Sequence, residues 1–277
     1  MSQNKMIKPL TFTLKEKLIQ RIDLSALIPN QLEGKPLEKI AKIKIAVGNK
    51  KLTVEKLFDI GGEDTQKIIF KKAVDLFDSI GRNMNQGSIE VRGSVGDRAG
   101  QDMNGGELTI KGNAGDWVGT GMRDGRIEVQ KNARKFLGGA LPGQSHGLRG
   151  GTIHVFGDTG ERTGDKMRRG MIVVEGNTAD YTGSRMIAGT IMICGQAGSN
   201  TGFGMKRGTI ILSDQPTSMP ATFNECGSFE LAFLKLIFNS LANSNQRLKN
   251  LKENSSWVTR YVGDLSIKGQ GELLILQ

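Results

Sequence analysis

The chain has 277 residues, 38 basic against 28 acidic side chains, a formal charge of +10 and only 5% aromatic residues. That length allows one large core or two ordinary ones, and so few aromatics with no reading motif argue against nucleic-acid binding, which pairs a basic patch with stacking rings. No apolar run approaches a membrane span, the opening MSQNKMIKPL lacks a signal-peptide core, and Cys194 and Cys226 read as small buried hydrophobes, so a soluble cytoplasmic protein without disulfides is expected.

Residues 1–60 carry 12 basic and 6 acidic groups against 20 and 17 over 61–220, which places most of the charge excess near the N-terminus. Residues 1–66 read as an N-terminal α/β cap. Leu10, Phe12 and Leu14 alternate as a strand does, and Ile43, Ile45 and Val47 repeat that pattern. Ile68 and Phe70 look like a degenerate first rung of a repeat that becomes regular after them.

Over 67–215 the chain repeats itself. A glycine precedes each short apolar run at Gly87, Gly106, Gly125, Gly151, Gly170, Gly189 and Gly208, with spacings of 19, 19, 26, 19, 19 and 19. Three residues earlier stands a second column, Met84, Met103, Met122, Leu148, Met167, Met186 and Met205, and Gly100, Gly119, Gly138, Gly164, Gly183 and Gly202 form a third. After each pre-strand glycine come two aliphatic positions one residue apart, from Ile89 and Val91 to Ile210 and Leu212. Such short alternation means strand, and strands this short bury a face only by stacking coil on coil. The expected fold is mainly β: a right-handed parallel β-helix, a single-stranded solenoid of 19-residue coils, with an N-terminal α/β cap and a C-terminal helical cap. The one spacing of 26 marks an insertion, GGALPGQSHG, which leaves the coil as a loop at about 138–146.

Pro216 and Pro220 end the repeat, and 216–277 reads as a C-terminal helical cap and tail. A helix is expected over about 228–243. Its apolar residues, Phe233 and Phe238 among them, lie nearly all round, which implies burial on more than one face. The outward strand position drifts from Glu90, Thr109, Glu128 and His154 to Val173, Met192 and Ile211. Three consecutive apolar outward residues call for a cover, either that helix or a partner, so Val173, Met192, Ile211, Phe233 and Phe238 are candidate partner-interface residues.

The turns before the strands collect positive charge. Arg123, Arg149, Arg168 and Lys206 form one column, broken by Ile187, with Arg169 and Arg207 beside it. Rungs ~4.8 Å apart make this a ladder suited to a polyanion such as a polyglutamate tail; a solvated face or salt bridges to a partner are the plainer alternatives. Trp117, Phe136 and Tyr181, interrupted by Arg162, make an aromatic column that reads as structural stacking or as a ligand platform. No catalytic constellation stands out. His146 and His154 have no acidic or cysteine partner at ligand spacing, there is no nucleophile elbow or P-loop, and the glycines open no helix as a dinucleotide site needs. No catalytic residue and no metal ligand are expected.

The repeat resembles the GxGxG β-helix shared by the C-terminal domain of glutamate synthase large subunits and the C subunit of formylmethanofuran dehydrogenase. GGALPGQSHGLRGGTIHVFG and RRGMIVVEGNTADYTGSRMIAGTIMICGQAG, with the upstream LSALIPNQL and LTVEKLFDI, are most similar to the bacterial branch, the C subunit of the formyltransferase/hydrolase complex of methylotrophs. The resemblance covers nearly the whole chain. It departs at Lys131 and Arg134, where other coils have glycine, beside the insertion.

That resemblance implies a non-catalytic scaffolding subunit in one-carbon oxidation. The chemistry falls to partners, a formyltransferase, an amidohydrolase-like hydrolase and a redox-like subunit, acting on a tetrahydromethanopterin carrier and a methanofuran-type carrier with a polyglutamate arm. No cofactor is expected on this chain alone. Two alternatives stay open: the C subunit of a molybdenum or tungsten formylmethanofuran dehydrogenase, and a stand-alone carbohydrate-active β-helix enzyme with a carboxylate cluster in a groove.

Overall fold

The computed structural model describes residues 7–240 and 257–277. The chain is mainly β. The N-terminal part comprises β1 (Pro9–Leu14), β2 (Ile22–Asp23), helices α1 (Pro29–Leu32) and α2 (Leu37–Ala41), β3 (Lys44–Val47), β4 (Lys50–Thr53), α3 (Val54–Leu57), β5 (Phe58–Gly61), β6 (Asp64–Ala73) and β7 (Phe77–Asp78). One strand per coil comes next: β8 (Ser88–Gly93), β9 (Asn104–Ile110), β10 (Asp124–Val129), β11 (Arg149–Val155), β12 (Arg169–Val174), β13 (Thr190–Ile193) and β14 (Thr209–Leu212). The C-terminal part holds β15 (Asn224–Glu230), α4 (Phe233–Ser240), β16 (Trp257–Gly263) and β17 (Gly271–Leu276).

These strands form a 13-stranded sheet in the order β15-β16-β17-β14-β13-β12-β11-β10-β9-β8-β6-β1-β5, and a 4-stranded sheet in the order β4-β3-β2-β7 covers the N-terminal end. From β1 to β17 every neighbouring pair in the large sheet is parallel; the antiparallel strands β5, β16 and β15 lie at its ends. Parallel neighbours need a long crossover, and here each crossover is the remainder of the coil. It carries a ladder of its own, single bridges through Ala114, Ala133, Thr159, Thr178 and Ala197.

Register explains the core. Ile89 sits on Leu108, Leu108 on Ile127, Ile127 on Ile153, and the column continues through Ile172, Ile191 and Ile210, all buried. The Met84 to Met205 column is fully buried as well, with Met103, Met122, Met167 and Met186 lying against the pre-strand glycine of the next coil, so each coil closes around aliphatic and thioether side chains. Glycine before the strand is a steric demand: Gly106 has φ +76, and a Cβ there would lie 2.7 Å from the Gly87 carbonyl oxygen of the coil below. Polar ladders fasten the coils from outside. Ser94 Oγ accepts the Asn113 N–H at 3.1 Å, and Asn113, Asn132, Asp158 and Asn177 each accept the backbone N–H one coil further on, at 2.7–3.1 Å.

The stack is longer than the seven regular coils. β1 pairs in parallel with β6, Leu10 on Ile68 and Phe12 on Phe70, and β17 caps β14 with Leu273 on Ile210 and Ile275 on Leu212. A Phe12, Phe58, Phe70 and Phe77 cluster fills the N-terminal end, with Phe12 and Phe70 stacked at 5.2 Å. At the other end the Asp264 carboxylate accepts from the Gly204 N–H and from Ser266, pinning the turn before β17 to the last coil.

The C-terminal part differs from the expected helical cap. The helix is confined to Phe233–Ser240, Asn224–Glu230 is a strand, and 241–243 lie outside the described residues. β17 pairs with the edge of the last coil, which a helix alone leaves open, and β16 and β15 add to the sheet in turn. The outward stripe is corrected as well. Val173, Met192 and Ile211 are fully buried in a second core with Leu234, Phe238, Val258, Leu274 and Leu276. The chain's own helix and hairpin cover them, so these three and Phe238 are not a surface open to a partner. Phe233 is 40% exposed.

Candidate functional site

Each pre-strand turn alternates an inward and an outward residue. Met122, Leu148, Met167 and Met205 point inward and are buried, so the next residue in each turn, Arg123, Arg149, Arg168 and Lys206, is turned to solvent. The backbone is fixed in the ladder: Arg149 N–H donates to the Met122 carbonyl at 2.7 Å, Arg168 N–H to Leu148 at 2.8 Å and Lys206 N–H to Met186 at 2.7 Å. Arg123, Arg149, Arg168 and Arg169 alone line a surface depression of about 320 Å³. Lys206 and Arg207 continue the exposed basic strip two coils further along, past Ile187.

Among the described residues none of these six cations takes part in an ion pair, whereas nearby Arg126 is bound by Glu128 at 2.8 Å, Arg134 by Asp116 at 3.0 Å and Arg185 by Asp165. The neighbouring carboxylate of Asp124 accepts the Gly125 N–H. Four guanidiniums on three successive coils without a counter-charge repel one another and focus a positive field outward, an arrangement that favours a bound polyanion, and each fork matches a carboxylate.

The insertion loop stands beside this depression. Lys166 Nζ holds the Gln144 carbonyl at 3.0 Å, Gly147 N–H donates to the Lys166 carbonyl at 3.0 Å and Ala140 N–H to the Asp165 carbonyl at 3.2 Å. His146, half-buried on the loop, has Nδ1 2.7 Å from Ser145 Oγ. Partial desolvation, then the charges of Arg168, Arg149 and Lys166, hold its imidazole below the usual histidine range.

His154, the other histidine, is buried, with Nε2 2.7 Å from Glu175 Oε1 and its ring stacked on Phe156 at 4.2 Å. Sequence spacing does not mark Glu175, because it lies two residues beyond Val173 on the next coil and only the coil register brings it to His154. The aromatic column is a stacked one: Trp117 lies on Phe136 at 5.2 Å, and the Arg162 guanidinium sits 4.7 Å over the Tyr181 ring. Among the described residues no three His, Cys, Asp or Glu side chains could share a metal ion, and no helix is long and apolar enough to cross a membrane.

The acidic corner behaves differently. Asp78, Asp97 and Asp116 each accept the backbone N–H of the next coil, and Arg21 and Arg134 pair with them. Lys131 and Arg134, which break the glycine pattern, lie here; Arg134 spans Asp97 and Asp116. A shallow groove runs past Asp75, Asn113 and Asn132 to Arg134.

The fold and its glycine turns define a class. The GXGXG motif profile matches residues 41–254, and the chain belongs to that family. It is similar, at 35% identity with a TM-score of 0.89 over 96% of this chain and 98% of the other, to a chain in the crystal structure of the formyltransferase/hydrolase complex (FhcABCD) from Methylorubrum extorquens in complex with methylofuran. The match is consistent with a subunit of that kind of complex. No curated protein matches the chain.

Proposed function

We propose that this chain is the C subunit of a cytoplasmic formyltransferase/hydrolase complex, a non-catalytic scaffold wound as a right-handed parallel β-helix, whose arginine corner holds the polyglutamate arm of a methanofuran-type carrier. The near-full-length likeness to a chain of such a complex carries the reading. The corner of Arg123, Arg149, Arg168 and Arg169, with Lys206 and Arg207 in line, supports the arm-binding part, because this row of cations has no counter-charge among the described residues. Formyl transfer from a tetrahydromethanopterin carrier and release of formate then belong to formyltransferase, amidohydrolase-like and redox-like partners.

The partner-facing surface lies at the C-terminal end. Among the described residues Phe229, Phe233, Leu236 and Trp257 are 40–71% exposed there and β15 has an unpaired edge, a combination that isolated proteins usually protect. A tagged pull-down from the native cell tests the proposal. Co-purification of proteins with formyltransferase and amidohydrolase activity is the expected result. A redox partner carrying molybdenum or tungsten would move the chain to the dehydrogenase branch, and a lone 30.1 kDa protein would overturn the subunit reading.

A further inference from the structure

Resting on the reading of the arginine corner as a polycarboxylate site, we propose that His146 is a proton-taking contact of that site: a carboxylate chain settling in the depression draws a proton from solvent onto the imidazole, which then binds the chain as a fifth cation. The insertion loop is tied to the coil that carries Arg168 and Arg169 through Lys166 Nζ to the Gln144 carbonyl and Gly147 N–H to the Lys166 carbonyl, and three residues after His146 it re-enters the ladder at Arg149. His146 therefore sits on a loop held against Lys166, one residue before the Gly147 tie and three before Arg149 of the depression.

The charges whose field acts on the ring are those of Arg168, Arg149 and Lys166, all cations. Asp165, whose carbonyl receives the Ala140 N–H, turns its carboxylate away to Ser184 and Arg185. With Nδ1 engaged by Ser145 Oγ, Nε2 is the nitrogen left for a ligand; in the imidazolium both nitrogens donate and the Ser145 hydroxyl accepts.

Desolvation and three cations hold the free imidazole down, so it is largely neutral near pH 7. A bound polycarboxylate neutralises those cations and adds its own negative charge, which raises the proton affinity of the ring. Binding then takes up a fraction of a proton, and affinity grows as pH falls through the window between the free and bound values.

Titration calorimetry of the full chain with decaglutamate, in two buffers of different ionisation enthalpy, measures this directly. Wild type should take up a measurable fraction of a proton and bind at least about threefold more tightly at pH 6 than at pH 7.5, beyond the change seen for His146→Gln. Equal proton uptake and equal pH dependence in the two proteins would overturn the role of His146 while leaving the arginine site standing. Failure of wild type to bind decaglutamate, or binding unaffected by Arg149→Glu with Arg168→Glu, would overturn both.

Discussion

Two corners of the same coil handle charge in opposite ways. At one, Asp78, Asp97 and Asp116 are consumed by the fold: each accepts a backbone N–H from the coil above and an arginine of the same chain. At the other, Arg123, Arg149, Arg168 and Arg169 donate to no carboxylate among the described residues, and each is exposed. Both are glycine-bearing turns of the same repeat, so the turn does not explain the difference. Charges that are satisfied within the chain serve the stack; charges left in a row without counter-ions add self-repulsion and little stability, and their use lies with something outside the chain.

The outward strand face shows the same division along the rod, and its buried end gives the largest test. Met192→Asp puts an unpaired charge between Val173, Ile211 and the residues of α4 and β16 that cover them, and should cost at least about 3 kcal/mol in a denaturant titration. A wild-type midpoint would mean that the C-terminal segment does not rest on the stripe. At the acidic corner, Asp116→Ala removes an acceptor from the Lys135 N–H and the partner of Arg134, and should cost about 1–3 kcal/mol. The mirror-image change, Arg149→Ala with Arg168→Ala, should alter stability by no more than about 0.5 kcal/mol. Equal losses at the two corners would erase the comparison. Smallest of all in stability is the expected effect of Phe233→Asp with Leu236→Asp, also within about 0.5 kcal/mol, yet it should shift the assembled complex toward free subunits in size-exclusion chromatography. An unchanged elution profile would remove that face from the interface.

The ladder itself is legible in the sequence because stacking demands repetition. Seven glycines and fourteen aliphatic positions in one register leave one way to bury strands four to seven residues long. β17 escapes that reading although Gly271, Leu273 and Ile275 carry the same glycine-then-aliphatic spacing as Gly208, Ile210 and Leu212, because a long excursion after Pro216 breaks the period. The cover on Val173, Met192 and Ile211 can be posed from sequence but not assigned, since amphipathic spacing says that a face is buried and not against what. The arginines are readable as a column. Their lack of counter-charges is not, because whether Asp124 or Asp165 neutralises a neighbour depends on backbone N–H groups and side chains from adjacent coils.

The most direct test of the arginine corner is the Michaelis constant of the assembled complex carrying Arg149→Glu and Arg168→Glu, measured with a methanofuran-type carrier bearing a long polyglutamate arm and with the same carrier lacking it. Reversing two of the four lining charges should raise the constant at least about tenfold for the long-armed carrier and leave it unchanged for the tail-less one. Equal constants for wild type and variant with both carriers would contradict the assignment of the arginine corner to the arm.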